Sequence, residues 1–67
     1  IERAIQSLEH AIRLNPSMAI AYGNLALAYA MAQRFDEAES CLRQAVALGY
    51  KNHQTIRERI AALKTLG

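Results

Sequence analysis

The side chains able to do chemistry in this 67-residue chain are few and widely spaced. His10, His53 and Cys41 supply the imidazole and thiol donors that bind zinc, yet they fall on three separate segments without a CxxC or HxxxH spacing. Ser7, Ser17 and Ser40 have no adjacent His and acid to activate a hydroxyl. Glu2 beside Arg3, and Glu37 near Glu39, read as solvated helix faces rather than as a general acid and base. The glycines at 23, 49 and 67 form no phosphate-cradling loop. No cofactor, metal or catalytic residue is therefore expected, and the chain is read as not an enzyme.

The elements that would position any site follow from composition. Thirteen alanines and eight leucines against one valine and two threonines favour helix over sheet. Ile1, Ala4, Ile5, Leu8, Ala11, Ile12 and Leu14 recur mostly at three- and four-residue steps, which predicts an amphipathic helix over 1–15. Asn15-Pro16 stops it, and is expected to start the next helix with Asn15 as N-cap and Pro16 in the first turn, running to Gln33. Asp36 with Glu39 three residues on reads as a capping box for a third helix, ended by Gly49. Asn52 can cap a fourth, carrying Ile56, Ile60 and Leu63 towards Gly67.

Charge and length set the remaining bounds. Eight Lys and Arg against six Asp and Glu give a formal +2, and the basic residues are scattered from Arg3 to Lys64 with acids between them. Nucleic acid is not an expected partner of such a surface. The longest apolar run, Leu25–Ala32, is eight residues. A bilayer span needs roughly 20, so no membrane partner is expected. A single cysteine leaves no internal disulfide and fits a reducing, cytoplasmic setting. Ile1 in place of an initiator Met suggests a chain cut from something longer. Without staples, a core of this size supplies on the order of 3–5 kcal/mol.

A repeat underlies the pattern. Ala4, Leu8, Ala11 and Leu14 each recur 34 residues later as Ala38, Leu42, Ala45 and Leu48. The same offset sets Ile56 opposite Tyr22, Ile60 opposite Ala26 and Leu63 opposite Tyr29. Together with Tyr22, Leu25, Ala26, Tyr29 and the run Phe35-Asp36-Glu37-Ala38, this resembles the tetratricopeptide repeat family. The resemblance implies an all-α fold: antiparallel helix-turn-helix repeats stacked as a short right-handed solenoid of four helices. Residues 1–67 would form a single domain, with 1–16 the second helix of a preceding repeat, 19–52 one full repeat and 53–67 a capping helix. Three positions depart from the family pattern: Tyr50 stands where Pro16 has its proline, Gln33 where the turn usually has glycine, and Arg59 where Leu25 is apolar. A family-like turn would force Gln33 to positive φ, at on the order of 1 kcal/mol relative to glycine. Arg59 suggests a last helix that turns one position to solvent, as a cap requires.

The resemblance also implies a function. The first helix of each pair in such repeats lines a concave face, which places Ile20, Gly23, Asn24, Leu27, Ala30 and Met31 there as protein-binding residues. The expected role is an interaction scaffold that holds a peptide or partner helix in that groove. The alternatives are self-association as a homodimer, through an exposed first helix bearing Ala4, Leu8 and Ala11, or service as the non-catalytic arm of a larger enzyme. A carboxylate clamp of the kind some relatives use is not expected, because its Lys and Arg positions fall at Gln54 and Glu58.

Overall fold

The computed structural model describes residues 1–66, which form four α-helices: α1 (Glu2–Leu14), α2 (Ala19–Met31), α3 (Phe35–Ala47) and α4 (His53–Leu66). Among the described residues there is no strand, and no helix is long and apolar enough to cross a membrane. The architecture is set by α2, whose thirteen residues include no charged side chain. Such a helix is stable only when covered on most sides. It packs against α1, α3 and α4, while α4 also packs on α3 and α1 reaches neither α3 nor α4. Seven residues of α2 are buried, among them Leu25, Ala26 and Tyr29. Around them close Ile5 from α1, Ala38 and Leu42 from α3, and Ile56 and Ile60 from α4. Ala26, Ala38 and Ala45 have 0% exposure. Their methyl groups let the helix backbones approach closely, and a larger side chain would force the helices apart at a cost of about 1–3 kcal/mol.

The turns repeat one device. Gln33 follows the end of α2 with φ 64° and Gly49 follows α3 with φ 90°. At the first turn the Arg34 amide donates to the Tyr29 carbonyl at 2.9 Å and the Gln33 amide to Ala30 at 3.0 Å. At the second, the Tyr50 amide donates to Ala45 at 2.9 Å and the Gly49 amide to Val46 at 3.0 Å. Both are Schellman closures of a helix C-terminus. The expected positive φ at Gln33 is thus present, and Gly49 terminates α3 as anticipated.

Two helix starts differ from expectation. Asn15 does not cap α2: it closes α1, with φ −144° and ψ 86°, and the Met18 amide donates to its carbonyl at 3.1 Å. Asn15-Pro16-Ser17-Met18 is therefore a turn with Pro16 at its second position, and α2 begins only at Ala19. Nor does Asp36 cap α3. The N-cap is Arg34, without a side-chain cap bond, and Asp36 and Glu37 lie inside the first turn, where their charge favours the helix dipole. Arg34 instead holds Glu37 through two 2.7 Å hydrogen bonds. At the fourth helix, Asn52 sits where expected, its carbonyl accepting the Ile56 amide at 3.3 Å. The expected end near Gly67 lies outside the described residues.

Polar contacts tie the helices at their edges. The Tyr29 hydroxyl donates to Glu9 Oε2 at 2.5 Å, joining α2 to α1, and the Arg34 guanidinium lies 4.7 Å from the Tyr29 ring centroid. Arg34 also reaches Glu2 at 3.4 Å, and Lys64 of α4 pairs with Glu39 of α3. Hydrogen bonds from Arg34 and Lys64 hold Glu37 and Glu39, respectively, below the ordinary carboxylate value. The Glu9 bond, then burial, pushes Tyr29 up to about 12, while burial chiefly pushes Cys41 up to about 11.

Two predictions follow from the turns and these charges. Gln33→Gly relieves the left-handed strain and raises stability by about 1 kcal/mol in urea titration, whereas Gly49→Ala lowers it by a similar amount. For pH, the two lowered carboxylates contribute stability that is present above their ordinary value of 4.5 and lost as pH falls through the folded values. Cys41 and Tyr29, raised from 9.0 and 10.0, contribute below those values and lose it as pH rises through about 11 and 12. The urea midpoint should fall as pH drops below roughly 5 and again as it rises above roughly 9. Cys41→Ala with Tyr29→Phe should flatten the alkaline arm, and Glu37→Gln with Glu39→Gln the acid arm. An unchanged alkaline arm in the double variant would contradict the assignment.

Candidate functional site

One flank of α2 escapes burial. Ile20, Asn24, Leu27 and Met31 follow at steps of four, three and four residues and so share a side of the helix. Ile20 is 58% and Met31 57% exposed, Asn24 is exposed and Leu27 half-buried. Four of the six residues expected to meet a partner are thus on the surface together. Gly23 and Ala30 are not: both are buried, because they lie on the sides of α2 that its neighbours cover, and their assignment to the open face is corrected accordingly.

Gly23 has a different task. A Cβ at this position would lie 2.7 Å from Tyr50 Cε2 and 3.0 Å from Cζ. The missing methyl is what lets the Tyr50 ring seat against α2. Tyr50, which stands where the earlier junction has Pro16, thereby becomes part of a wall beside Asn24.

The open flank borders two clefts between α2 and α4. One, of about 370 Å³, lies among Asn24, Leu27, Tyr50, Asn52, Thr55 and Arg59. The other, of about 340 Å³, lies among Leu27, Met31, Arg59, Ala62 and Leu63. Leu27 and Arg59 border both, so the clefts form one groove with a polar end and an apolar end. Among the described residues Arg59 is the only charged side chain on its walls, and it takes part in no ion pair.

The α4 wall was missed from sequence. The 34-residue offset maps Asn24 and Leu27 onto Glu58 and Ala61, neither of which borders the groove. The wall is instead Thr55, Arg59, Ala62 and Leu63, the flank of α4 turned back towards α2. A groove between two helices is built from opposite flanks, so the repeat offset points to the wrong side. The useful signal was the unusual arginine at 59, where Leu25 is buried.

The other chemical candidates remain apart. His10 is exposed on α1, His53 is half-buried at the start of α4, and Cys41 is half-buried on α3. Among the described residues no three His, Cys, Asp or Glu side chains come together as metal ligands. Gln54 and Glu58 are exposed and bond each other at 3.5 Å. Leu8 and Ala11 of α1 are half-covered, so of the apolar face expected to be open, Ala4 alone is fully exposed.

Antiparallel helix pairs joined by matching Schellman turns, stacked with a groove along one flank, define a helical-repeat protein. A family model described as tetratricopeptide repeat matches residues 1–65, and the chain belongs to that family. No curated protein and no solved structure matches it. Tetratricopeptide repeats generally mediate protein–protein interaction and act as non-catalytic scaffolds.

The seating of Tyr50 on Gly23 is testable by a sign reversal. Gly23→Ala alone should destabilise by about 1–3 kcal/mol through overpacking. In a Tyr50→Ala background the same change should stabilise by about 0.5–1 kcal/mol, the usual gain of alanine over glycine in a helix. Equal effects in both backgrounds, measured by urea titration, would refute the contact.

Proposed function

We propose that the chain is a non-catalytic interaction module that binds a peptide segment of another protein in the α2/α4 groove. One observation carries this reading: on a helix otherwise covered by its neighbours, exposed Asn24 and Met31 and half-buried Leu27 lie side by side and border a groove, with exposed Ile20 on the same flank beyond it. Nothing in packing requires an apolar flank with a central amide to stay uncovered. Leu27 and Met31 offer apolar contact, and Asn24 offers a donor and an acceptor to a peptide backbone. Because most of the lining comes from the packed helices α2 and α4, the site is largely preorganised and the cost of ordering falls mainly on the peptide.

Within this reading, 19–52 is the complete repeat unit and 1–16 the second helix of a preceding one. Residues 53–67 form a cap, with Arg59 turned to solvent where a further repeat would call for an apolar side chain. A cytoplasmic location agrees with a lone, half-buried thiol.

The test uses peptides selected on the 67-residue chain from a displayed random library. Asn24→Ala should weaken the selected peptides about tenfold, the loss of one or two hydrogen bonds. Leu27→Glu should weaken them more, while far-UV circular dichroism stays unchanged for both variants. Affinity unaffected by either substitution would place the binding surface elsewhere.

A further inference from the structure

We infer that the groove selects a peptide carrying an internal acidic side chain next to an apolar one, read by Arg59; this rests on the groove reading above. The argument begins with position. Arg59 and Leu27 border both clefts from opposite helices, so Arg59 stands where the two clefts meet rather than at an end of the groove. Towards one side the walls are apolar, with Met31, Ala62 and Leu63. Towards the other they carry neutral polar groups, with Asn24, Asn52 and Thr55.

Charge makes the preference. Among the described residues no acidic side chain borders either cleft, and Arg59 has no ionic partner. A guanidinium with five donors and no acceptor is complemented by a carboxylate. An aspartate or glutamate set beside it, with the neighbouring apolar side chain against Leu27 and Met31, satisfies both halves at once. A carboxylate could also come from a peptide's C-terminus. The groove continues past Arg59 on both sides, so a chain ending there would leave one cleft empty, whereas an internal side chain lets the peptide fill both. The occupant is thus an apolar-acidic segment running through the groove.

The experiment uses fluorescein-labelled, N-acetylated and C-amidated nonapeptides in which a leucine pair is followed at one to four residues by aspartate or glutamate. Matched sets carry asparagine or glutamine, or lysine, at that place, and a further set carries its only carboxylate at a free C-terminus. Binding to the 67-residue chain is read by anisotropy at low salt and at 0.5 M NaCl, the higher salt shortening the Debye length to about 4 Å. The best internal acidic peptides should bind about fivefold tighter than their amide counterparts at low salt, the upper end for a solvent-accessible pair, and lose that margin at high salt. Arg59→Gln should erase the margin between acidic and amide peptides, and Arg59→Glu should transfer the preference to the lysine set. Leu27→Glu should weaken every set. Acidic and amide peptides binding alike, a margin untouched by Arg59→Gln, or tighter binding of the free-terminus set would each overturn the inference while leaving groove binding intact. Binding indifferent to Leu27→Glu, or none by any set, would instead count against the groove reading and the inference with it.

Discussion

An uncharged helix in water must be covered, and in this chain that constraint falls on α2. Its thirteen residues hold no Asp, Glu, Lys or Arg, and no side of it is polar enough to be a solvated face. Covering it takes all three other helices. Burying a side chain such as Leu25 is worth about 1.5–3 kcal/mol, and the small residues at 26, 38 and 45 let the covering helices come close enough to collect many such contributions. The flank that stays open matters for the same reason. Where everything else about α2 is driven out of water, an exposed row from Ile20 to Met31 runs against the trend of the structure.

The repeat shows how far burial depends on neighbours rather than on residue type. Ala4 and Ala38 occupy equivalent places 34 residues apart, yet Ala38 has no exposure and Ala4 is exposed. Leu42 is buried where Leu8 is half-covered. The difference is that α3 is flanked by α2 and α4, whereas α1 touches α2 alone. Stability in such stacks is close to a sum of repeat and nearest-neighbour contributions, so identical sequence elements stabilise unequally according to place. The Tyr29–Glu9 hydrogen bond and the reach of Arg34 to Glu2 add polar ties on the side where α2 and the turn after it hold α1.

Most of the fold was legible because it is written in periodic signals. Apolar spacing located four helices, and the 34-residue offset ordered them. Helix starts were less legible, since Asn-Pro and Asp-x-x-Glu each fit more than one local structure. Pro16 suits the second position of a turn as well as the first turn of a helix, and the tertiary position of α2 decides between them. At α3 the decision is made by the Schellman turn, which brings Arg34 to the N-cap and leaves Asp36 two residues too deep to cap. The α2 side of the groove was half legible. Exposure follows the flank of Ile20, Asn24, Leu27 and Met31, but whether Gly23 and Ala30 join it depends on where neighbouring helices press, which no spacing reveals.

Turn chemistry and groove are finally one problem. The positive φ of Gly49 closes α3 and sends the chain back so that the Tyr50 amide bonds Ala45. That fixes where the Tyr50 side chain leaves the backbone, and the absence of a Cβ on Gly23 gives its ring a place to lie. A proline at 50, as at the first junction, would remove both the amide and the ring. The wall beside Asn24 and Thr55 would then open, and the groove would be reduced towards its apolar half. Tyr50 in place of proline is therefore more than a tolerated departure from the repeat pattern: it closes the polar end of the groove, leaving Arg59 between two walled clefts.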